Sequence, residues 1–199
     1  MNTNEFLEIS STIVPKRTAV TFDNRHISFQ ELREMADKLA NILVNFGIKH
    51  GDTVAMLDVN SPQVLVAYFA CAKLDAIFVP LNYRAKEDEL RHMLALSNAS
   101  ILFTGHRYIS LVKNATQATE SNLKVVVIGG PGRDGWFSYE GLMKDCEEKH
   151  TFIPTSQDKD TTILLFTSMI PSFLEIMPGF TPMEKTGFWK IYRAEQAHG

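Results

Sequence analysis

Apolar and polar positions follow two alternating rhythms over the first 166 residues of the 199-residue chain. Short continuous apolar runs, typical of buried parallel strands, occur at residues 53–57, 76–80, 100–104, 124–128 and 161–166. Segments with an apolar residue every three or four positions lie between them, and this spacing predicts amphipathic helices. The alternation predicts an α/β fold, in which a mainly parallel sheet is covered by helices on both faces.

Start and stop signals define several of these elements. Asp23-Asn24, between two strand-like segments, predicts the turn of a small hairpin. Ser28 with Glu31 three positions later forms a capping box before an apolar helical stripe, which ends at Gly47. Further helices are predicted over residues 62–73, 86–96, 106–118 and 138–149.

The βα rhythm stops after Ser168. The last part of the chain contains Pro171, Pro178 and Pro182, which would interrupt any helix there repeatedly. The sequence therefore predicts two regions, an α/β part over residues 1–168 and an irregular tail over residues 169–199.

Composition excludes several classes of protein. The chain is 45% apolar and 22% charged, which is ordinary for a globular protein, and its net charge of −3 argues against a nucleic-acid partner. Cys71 and Cys146 fit neither a disulfide framework nor a zinc pattern, and no export signal is visible, so we expect a cytoplasmic protein. The most apolar stretch, residues 64–81, contains Lys73 and Asp75, and no transmembrane segment is expected.

Several motifs have both a chemical and a structural interpretation. Residues 130–135 match G-x-G-x-x-G, but a dinucleotide site needs a helix that opens within that turn, and the next helix is predicted only from residue 138. The six histidines show no metal-binding spacing. Glu87-Asp88-Glu89 is typical of a solvated first helical turn. Lys73 and Arg84 flank a Val-Pro-Leu turn, either as ligands of an anion or as surface charges.

Three stretches resemble one family. Residues 27–32, ISFQEL, resemble the opening helix start of the adenylate-forming enzymes, which include acyl-CoA synthetases, luciferases and peptide-synthetase adenylation domains. Residues 71–84, CAKLDAIFVPLNYR, resemble the A-x-x-K-x-G-A-x-x-V-P-L-N-x-R segment of that family, with Asp75 where glycine is common. Residues 164–168, LLFTS, resemble the strand that runs into its T-S-G-T-T-G-x-P-K-G loop. The resemblance is to the acyl-CoA synthetase branch, and it implies part of the large N-terminal domain of such an enzyme.

The resemblance also implies a chemistry. Its members join a carboxylic acid to CoA with ATP and Mg²⁺, as in fatty acid metabolism, and their glycine- and hydroxyl-rich loop holds the ATP phosphates. Thr167 and Ser168 are therefore expected to begin a nucleotide-binding loop. The chain then continues Met169-Ile170-Pro171-Ser172, without the loop's glycines, further hydroxyls or lysine. We expect no productive binding of ATP, Mg²⁺ or CoA.

The tail resembles the far end of the same enzymes. Residues 170–177 are similar to their V-P-x-x-V-E-F-V strand, and residues 182–187 to the following P-x-x-x-T-G-K turn. The resemblance makes Lys190 the equivalent of the lysine that contacts carboxylate and phosphate, although Phe188-Trp189 intervene. The hypothesis is that the chain joins the start of a ligase to its end, through an internal deletion, exon loss or gene-prediction error near residues 168–170.

Three functions follow from these observations. The first is a defective acid–CoA ligase, whose acid substrate stays open because the acyl pocket would belong to the absent middle. The second is a non-catalytic interaction module, which self-associates or pairs with a full-length paralogue through an uncovered sheet edge. The third is a dinucleotide-binding fold built on residues 130–135.

Overall fold

The computed structural model describes residues 3–117, 122–132, 135–146, 161–166, 180–182 and 189–191. Helices in these ranges are α1 (Thr3–Ile13), α2 (Phe29–Asn45), α3 (Pro62–Lys73), α4 (Glu87–Ser97), α5 (Ile109–Thr116) and α6 (Tyr139–Asp145). Strands are β1 (Thr18–Phe22), β2 (Arg25–Ser28), β3 (Thr53–Leu57), β4 (Ile77–Pro80), β5 (Ile101–Gly105), β6 (Lys124–Ile128), β7 (Phe137–Ser138), β8 (Phe180–Pro182) and β9 (Trp189–Ile191).

The main sheet is parallel and has the order β4-β3-β5-β6-β7. The chain first moves outward from β3 to β4 through α3, then returns past β3 to reach β5 through α4. The direction of winding therefore reverses between β3 and β5. In open α/β sheets, the carboxyl ends of the strands beside such a reversal form a crevice.

Residues 161–166 extend this sheet beyond β4. Ile163 forms a single parallel bridge with Phe78. Two backbone hydrogen bonds of 3.0 Å hold it, from the Phe78 N–H to the Thr162 carbonyl and from the Leu164 N–H to the Phe78 carbonyl. The strand predicted over residues 161–166 thus forms only one bridge, although it has the predicted parallel direction.

Each face of the sheet has its own apolar core. Val54, Phe78 and Phe103 contribute to the core that contains α1, α2, α3 and α6 residues. Ala55 and Val79, which are neighbours of these positions, contribute to the core with α4 and α5 residues. The prediction of helices on both faces is confirmed, and burial on both faces explains the continuous apolar runs. Among the residues that the structure describes, no helix is long and apolar enough to cross a membrane.

The predicted hairpin turn and the predicted capping box are both present around the β1–β2 hairpin. Asp23 and Asn24 both have positive φ, +46° and +63°, as the hairpin turn requires. The Glu31 N–H donates to Ser28 Oγ, and the Glu31 carboxylate accepts from the Ser28 N–H at 2.7 Å. Hydrogen bonds from the Ser28 backbone and then its side chain lower the pKa of Glu31. Gly47, with φ +85°, follows the end of α2.

Other elements differ from the prediction. Helix α1 was not predicted, because Phe6, Ile9 and Ile13 are exposed and Leu7 alone of its apolar residues is fully buried. The expected helix over residues 106–118 is a 3₁₀ turn, His106–Tyr108, followed by α5. Strand β7 was missed because it is only two residues long.

Two short strands lie in the predicted irregular tail. Strands β8 and β9 pair in antiparallel fashion, with Phe180 opposite Ile191. The segment that resembles the V-P-x-x-V-E-F-V strand, residues 170–177, lies outside the described residues.

Candidate functional site

The carboxyl edge of the parallel sheet is the part of the fold where a ligand site is expected. Asp58 follows β3, Asn82 follows β4 and His106 follows β5. Residues 161–166 run parallel to β4 and end at this same edge. The predicted site residues Thr167 and Ser168 come next in sequence but lie outside the described residues, so their role stays a prediction.

Lys190, the third predicted site residue, lies in β9. Its backbone pairs with that of Thr181 in β8. Its catalytic role also stays a prediction, because it was inferred from the resemblance of the tail.

Asp58 lies at the point where the winding of the sheet reverses. Its Oδ1 accepts a 2.8 Å hydrogen bond from the Val59 N–H. The carboxylate packs so closely on Gly105 that a Cβ there would lie 2.4 Å from Oδ1. Burial raises the pKa of Asp58, while the Val59 bond and the charge of Arg107 oppose the rise. Sequence reasoning missed this residue, although an acid directly after a buried strand was a visible signal.

A tight turn after β4 is built by the L-N-Y-R part of the family-like segment. The Arg84 N–H donates to Asn82 Oδ1 at 3.0 Å, and the Ala85 N–H donates to the Asn82 carbonyl at 2.9 Å. The Arg84 guanidinium carbon lies 5.4 Å from the centroid of the Tyr83 ring. The asparagine therefore has a structural role, since its side chain fixes the turn that leaves β4.

Lys73 and Arg84 lie at opposite ends of β4 and do not meet. The Lys73 side chain is only 3% exposed, and its Nζ contacts a Glu8 oxygen and lies 2.9 Å from Asp37 Oδ1. Arg33 is 3.5 Å from the other Glu8 oxygen. For Lys73, both the anion-ligand and the surface-charge interpretations are wrong. Its ion pairs join α3 to α1, through Glu8, and to α2, through Asp37.

Asp75 explains why the family commonly has glycine at this position. Its φ is +53°, in the left-handed region that glycine enters freely and aspartate tolerates better than most residues. The chain turns here from α3 into β4, with the Ala76 N–H donating to the Cys71 carbonyl at 3.0 Å. The departure from the family's glycine is thus compatible with the same turn.

The described residues of the glycine-rich segment do not have the structure of a dinucleotide site. Helix α6 begins only at Tyr139, after β7, and none of residues 130–132 or 135 is helical. The Gly129 N–H, which comes just before it, donates to the Glu140 carboxylate at 2.9 Å. A carboxylate at this donor repels a pyrophosphate, so the geometry favours the interpretation as a loop.

The described part of the chain contains no group of three His, Cys, Asp or Glu side chains that could hold a metal ion. Asp58 and Glu140 both accept hydrogen bonds from backbone N–H groups, and Glu8 and Asp37 are ion-paired. These carboxylates therefore have partners from the chain itself.

Comparisons with known sequences place the similarity in the α/β part. The model of a family described as AMP-binding enzyme matches residues 7–168. The indoleacetate–CoA ligase of Aromatoleum aromaticum is 34% identical over 168 residues, which are 84% of this chain and 32% of that protein. The crotonobetaine/carnitine–CoA ligase of Salmonella agona is 29% identical over 160 residues, 76% of this chain and 31% of the relative.

Solved structures show the same fold. An anthranilate CoA ligase, AuaEII, solved with anthranoyl-AMP, matches with a TM-score of 0.79 at 23% identity, over 85% of this chain and 32% of that one. A benzoate CoA ligase from Burkholderia xenovorans matches with a TM-score of 0.73 at 16% identity, over 83% and 32%. The chain spans about a third of the length of these relatives.

Proposed function

The chain belongs to the AMP-binding enzyme family, and from this premise we propose that it is a truncated acid–CoA ligase-like protein that does not activate acids alone. The parent reaction is the ATP-dependent ligation of a carboxylic acid to CoA. The names of the relatives support this parent, since they are CoA ligases for indoleacetate and for crotonobetaine or carnitine.

The observation that carries the proposal is the point at which the similarity ends. The family match stops at Ser168, and the next residues are Met169, Ile170 and Pro171. A phosphate loop needs glycines that free backbone N–H groups toward the anion, whereas proline has no N–H to donate. Positioning and charge stabilisation supply most of the catalysis of such a reaction, and the residues for both are absent from this segment.

Three backbone donors at the carboxyl edge already have partners within the chain, which supports the proposal. The Val59 N–H is bonded to Asp58, the Arg84 N–H to Asn82 and the Gly129 N–H to Glu140. Two of these three acceptors are carboxylates, which oppose the approach of a triphosphate. No catalytic step is assigned to these residues.

Pyrophosphate release by the purified full chain tests this proposal. We expect no acid-dependent release above the protein-free background with ATP, Mg²⁺, CoA and a panel of indoleacetate, anthranilate, crotonobetaine and palmitate. The physical reason is that residues 167–172 contain neither the glycines nor the lysine with which the family's loop holds the triphosphate in line with the acid.

Two controls make the negative result meaningful. The Aromatoleum indoleacetate–CoA ligase is assayed in parallel, and a cooperative thermal transition shows that the chain is folded. Saturable, acid-dependent pyrophosphate release by the folded chain contradicts the proposal.

A second candidate function, a non-catalytic interaction module, is favoured by the sheet edge at residues 161–166. Ile163 is 39% exposed and Leu165 57% exposed, while Leu164 and Phe166 pack on the second core. Side chains along this segment therefore point alternately toward the core and toward solvent. Ile163 and Leu165 stay uncovered beside a strand edge that is able to pair with another strand.

Co-expression with a full-length CoA ligase of the same genome tests this second function. We expect co-elution in size-exclusion chromatography, and we expect its loss in the Leu165→Lys variant, because a buried lysine is unfavourable in an apolar interface. Ile13→Lys, at a 72% exposed position of α1, is the matched control and leaves co-elution unchanged. Equal elution of wild type and Leu165→Lys with the ligase overturns this function.

The proposal also includes a cytoplasmic location and a class of acid for the parent reaction. The free cysteines Cys71 and Cys146 support a reducing, cytoplasmic location. The parent acid is a carboxylic acid, and a fatty acid is one member of that class; the relatives named above act on other acids.

A further inference from the structure

Helix α1 carries apolar side chains on two of its sides. Leu7 is buried and belongs to the first core. On another side, Phe6, Ile9 and Ile13 are 57%, 46% and 72% exposed. Their spacing of three and four positions places them in one row along the helix. These three side chains, here called the α1 stripe, therefore form an apolar strip on the outside of the fold.

The α1 stripe is close to symmetric about its middle, which lies between Ile9 and Ser10. A second α1 helix in antiparallel orientation would set Phe6 of each copy opposite Ile13 of the other. The two Ile9 side chains would then lie side by side at the two-fold axis. A two-fold dimer needs this property, because the same patch must serve as both halves of the contact.

The charges at the two ends of α1 have opposite signs. Glu5 is in the first turn, whereas the exposed Lys16 and Arg17 follow shortly after the last turn. In an antiparallel pair, the basic end of each copy lies over the acidic end of the other, and this favours the antiparallel over the parallel orientation. Glu5 already has an interaction of its own, and the attraction uses its charge without a change of partner.

The area of the α1 stripe limits the strength of such a dimer. A large apolar side chain has roughly 200 Å² of surface, and about half of it or more is exposed on each of the three. Two facing stripes would bury roughly 600 Å², and contacts below about 1,000 Å² are those of weak, transient complexes. The dimer is therefore expected only at high protein concentration.

We propose that the α1 stripe is a surface for weak self-association, on which the α1 helix of a second copy packs in antiparallel orientation. Removal of the three apolar side chains from water drives the contact, and the charges at the two ends of the helix set its direction. The surface belongs to a different element from the sheet edge at residues 161–166, and it does not depend on the proposed function.

Sedimentation velocity of the full chain, from about 10 µM to about 1 mM, tests this proposal. We expect a reversible dimer with a dissociation constant on the order of 0.1 mM. Ile9→Lys is expected to weaken the dimer about tenfold or more, because two ammonium groups would meet at the axis. Val44→Lys, at a 37% exposed position of α2, and Leu165→Lys, at the sheet edge, are matched controls and leave the dissociation constant unchanged.

Disulfide cross-linking checks the same contact without a charged variant. Cys71 is buried, so Cys146→Ser removes the more accessible of the two native thiols. In that background, Ile9→Cys is expected to form a disulfide-linked dimer faster than Thr12→Cys, which places a thiol on an exposed side of α1 away from the stripe. Equal rates for the two cysteine variants contradict the antiparallel contact even if Ile9→Lys does not fold.

Three further outcomes overturn the proposal. The first is a wild-type chain that stays monomeric at the highest concentration. The second is a dimer that survives Ile9→Lys but is lost in Leu165→Lys, since the contact would then be at the sheet edge. The third is a chain that does not self-associate but sediments with phosphatidylglycerol vesicles, since the α1 stripe would then serve a lipid surface.

Discussion

Replacing Lys73 with methionine is expected to lower the free energy of unfolding by about 2 kcal/mol. The substitution keeps the buried stem but removes the ammonium that contacts Glu8 and Asp37. Loss of one partner from a fully buried ion pair costs more, but these two carboxylates are more than a third exposed and regain water. Urea unfolding followed by circular dichroism measures the change.

The same variant is expected to loosen α1, since Glu8 is on that helix. Limited trypsin digestion after Lys16 or Arg17 should become faster, because these exposed residues follow the helix directly. Lys38→Met, at an exposed position of α2 beside Asp37, is the matched control and should shift stability by less than about 0.5 kcal/mol. A Lys73→Met protein as stable as Lys38→Met contradicts the structural role given to this ion cluster.

Replacing Gly132 with alanine is expected to cost about 3 kcal/mol. An added Cβ would lie 2.2 Å from the Trp136 carbonyl oxygen and 2.9 Å from the Ser138 nitrogen. These are backbone atoms, which cannot move aside as a flexible side chain does, so β7 and the start of α6 must shift. Thermal unfolding measures the loss of stability, and the NMR signal of the Trp136 indole N–H shows whether the change is located at this loop.

Gly141 provides the control for this prediction. It lies within α6, and an added Cβ would be 3.5 Å from Ser138 Cβ, an ordinary contact. Gly141→Ala is expected to stabilise the chain by about 0.8 kcal/mol, because alanine is the better helix former. If Gly132→Ala proves as stable as Gly141→Ala, the close approach of the loop to β7 is not real.

The sequence predicted the parts of the fold that depend on neighbouring residues. The Asp23-Asn24 turn, the Ser28–Glu31 capping box and the buried strands all have local causes that a pattern contains. The order of the strands depends on which partner each strand meets, and no local pattern specifies it. Helix α1 escaped prediction because most of its apolar residues face outward. Its attachment rests on Leu7 and on Glu8, which pairs with Lys73 of α3 and with Arg33 of α2.

The candidate site was predicted less completely, for a physical reason. The sequence located the departure from the family at Ser168, since a missing glycine or lysine is visible without coordinates. It misjudged Lys73, because the partners that bury this charge lie 65 and 36 positions earlier in the chain. It missed Asp58, although an acid directly after a buried strand is visible in the sequence. The contact of Asp58 with Gly105 of the neighbouring strand is not visible there, because it exists only where two separate loops meet.

The single bridge between Phe78 and Ile163 has a consequence for the order of assembly. Its two residues are 85 positions apart, so the entropy of closing that loop must be overcome before two hydrogen bonds are gained. Strands β3 and β4 are separated by one helix and share four paired positions. The nucleus of folding should therefore form around β3, α3 and β4, and residues 161–166 should join it last. The residues that the family resemblance assigns to the start of the nucleotide loop, Thr167 and Ser168, follow this late-joining strand directly in the sequence.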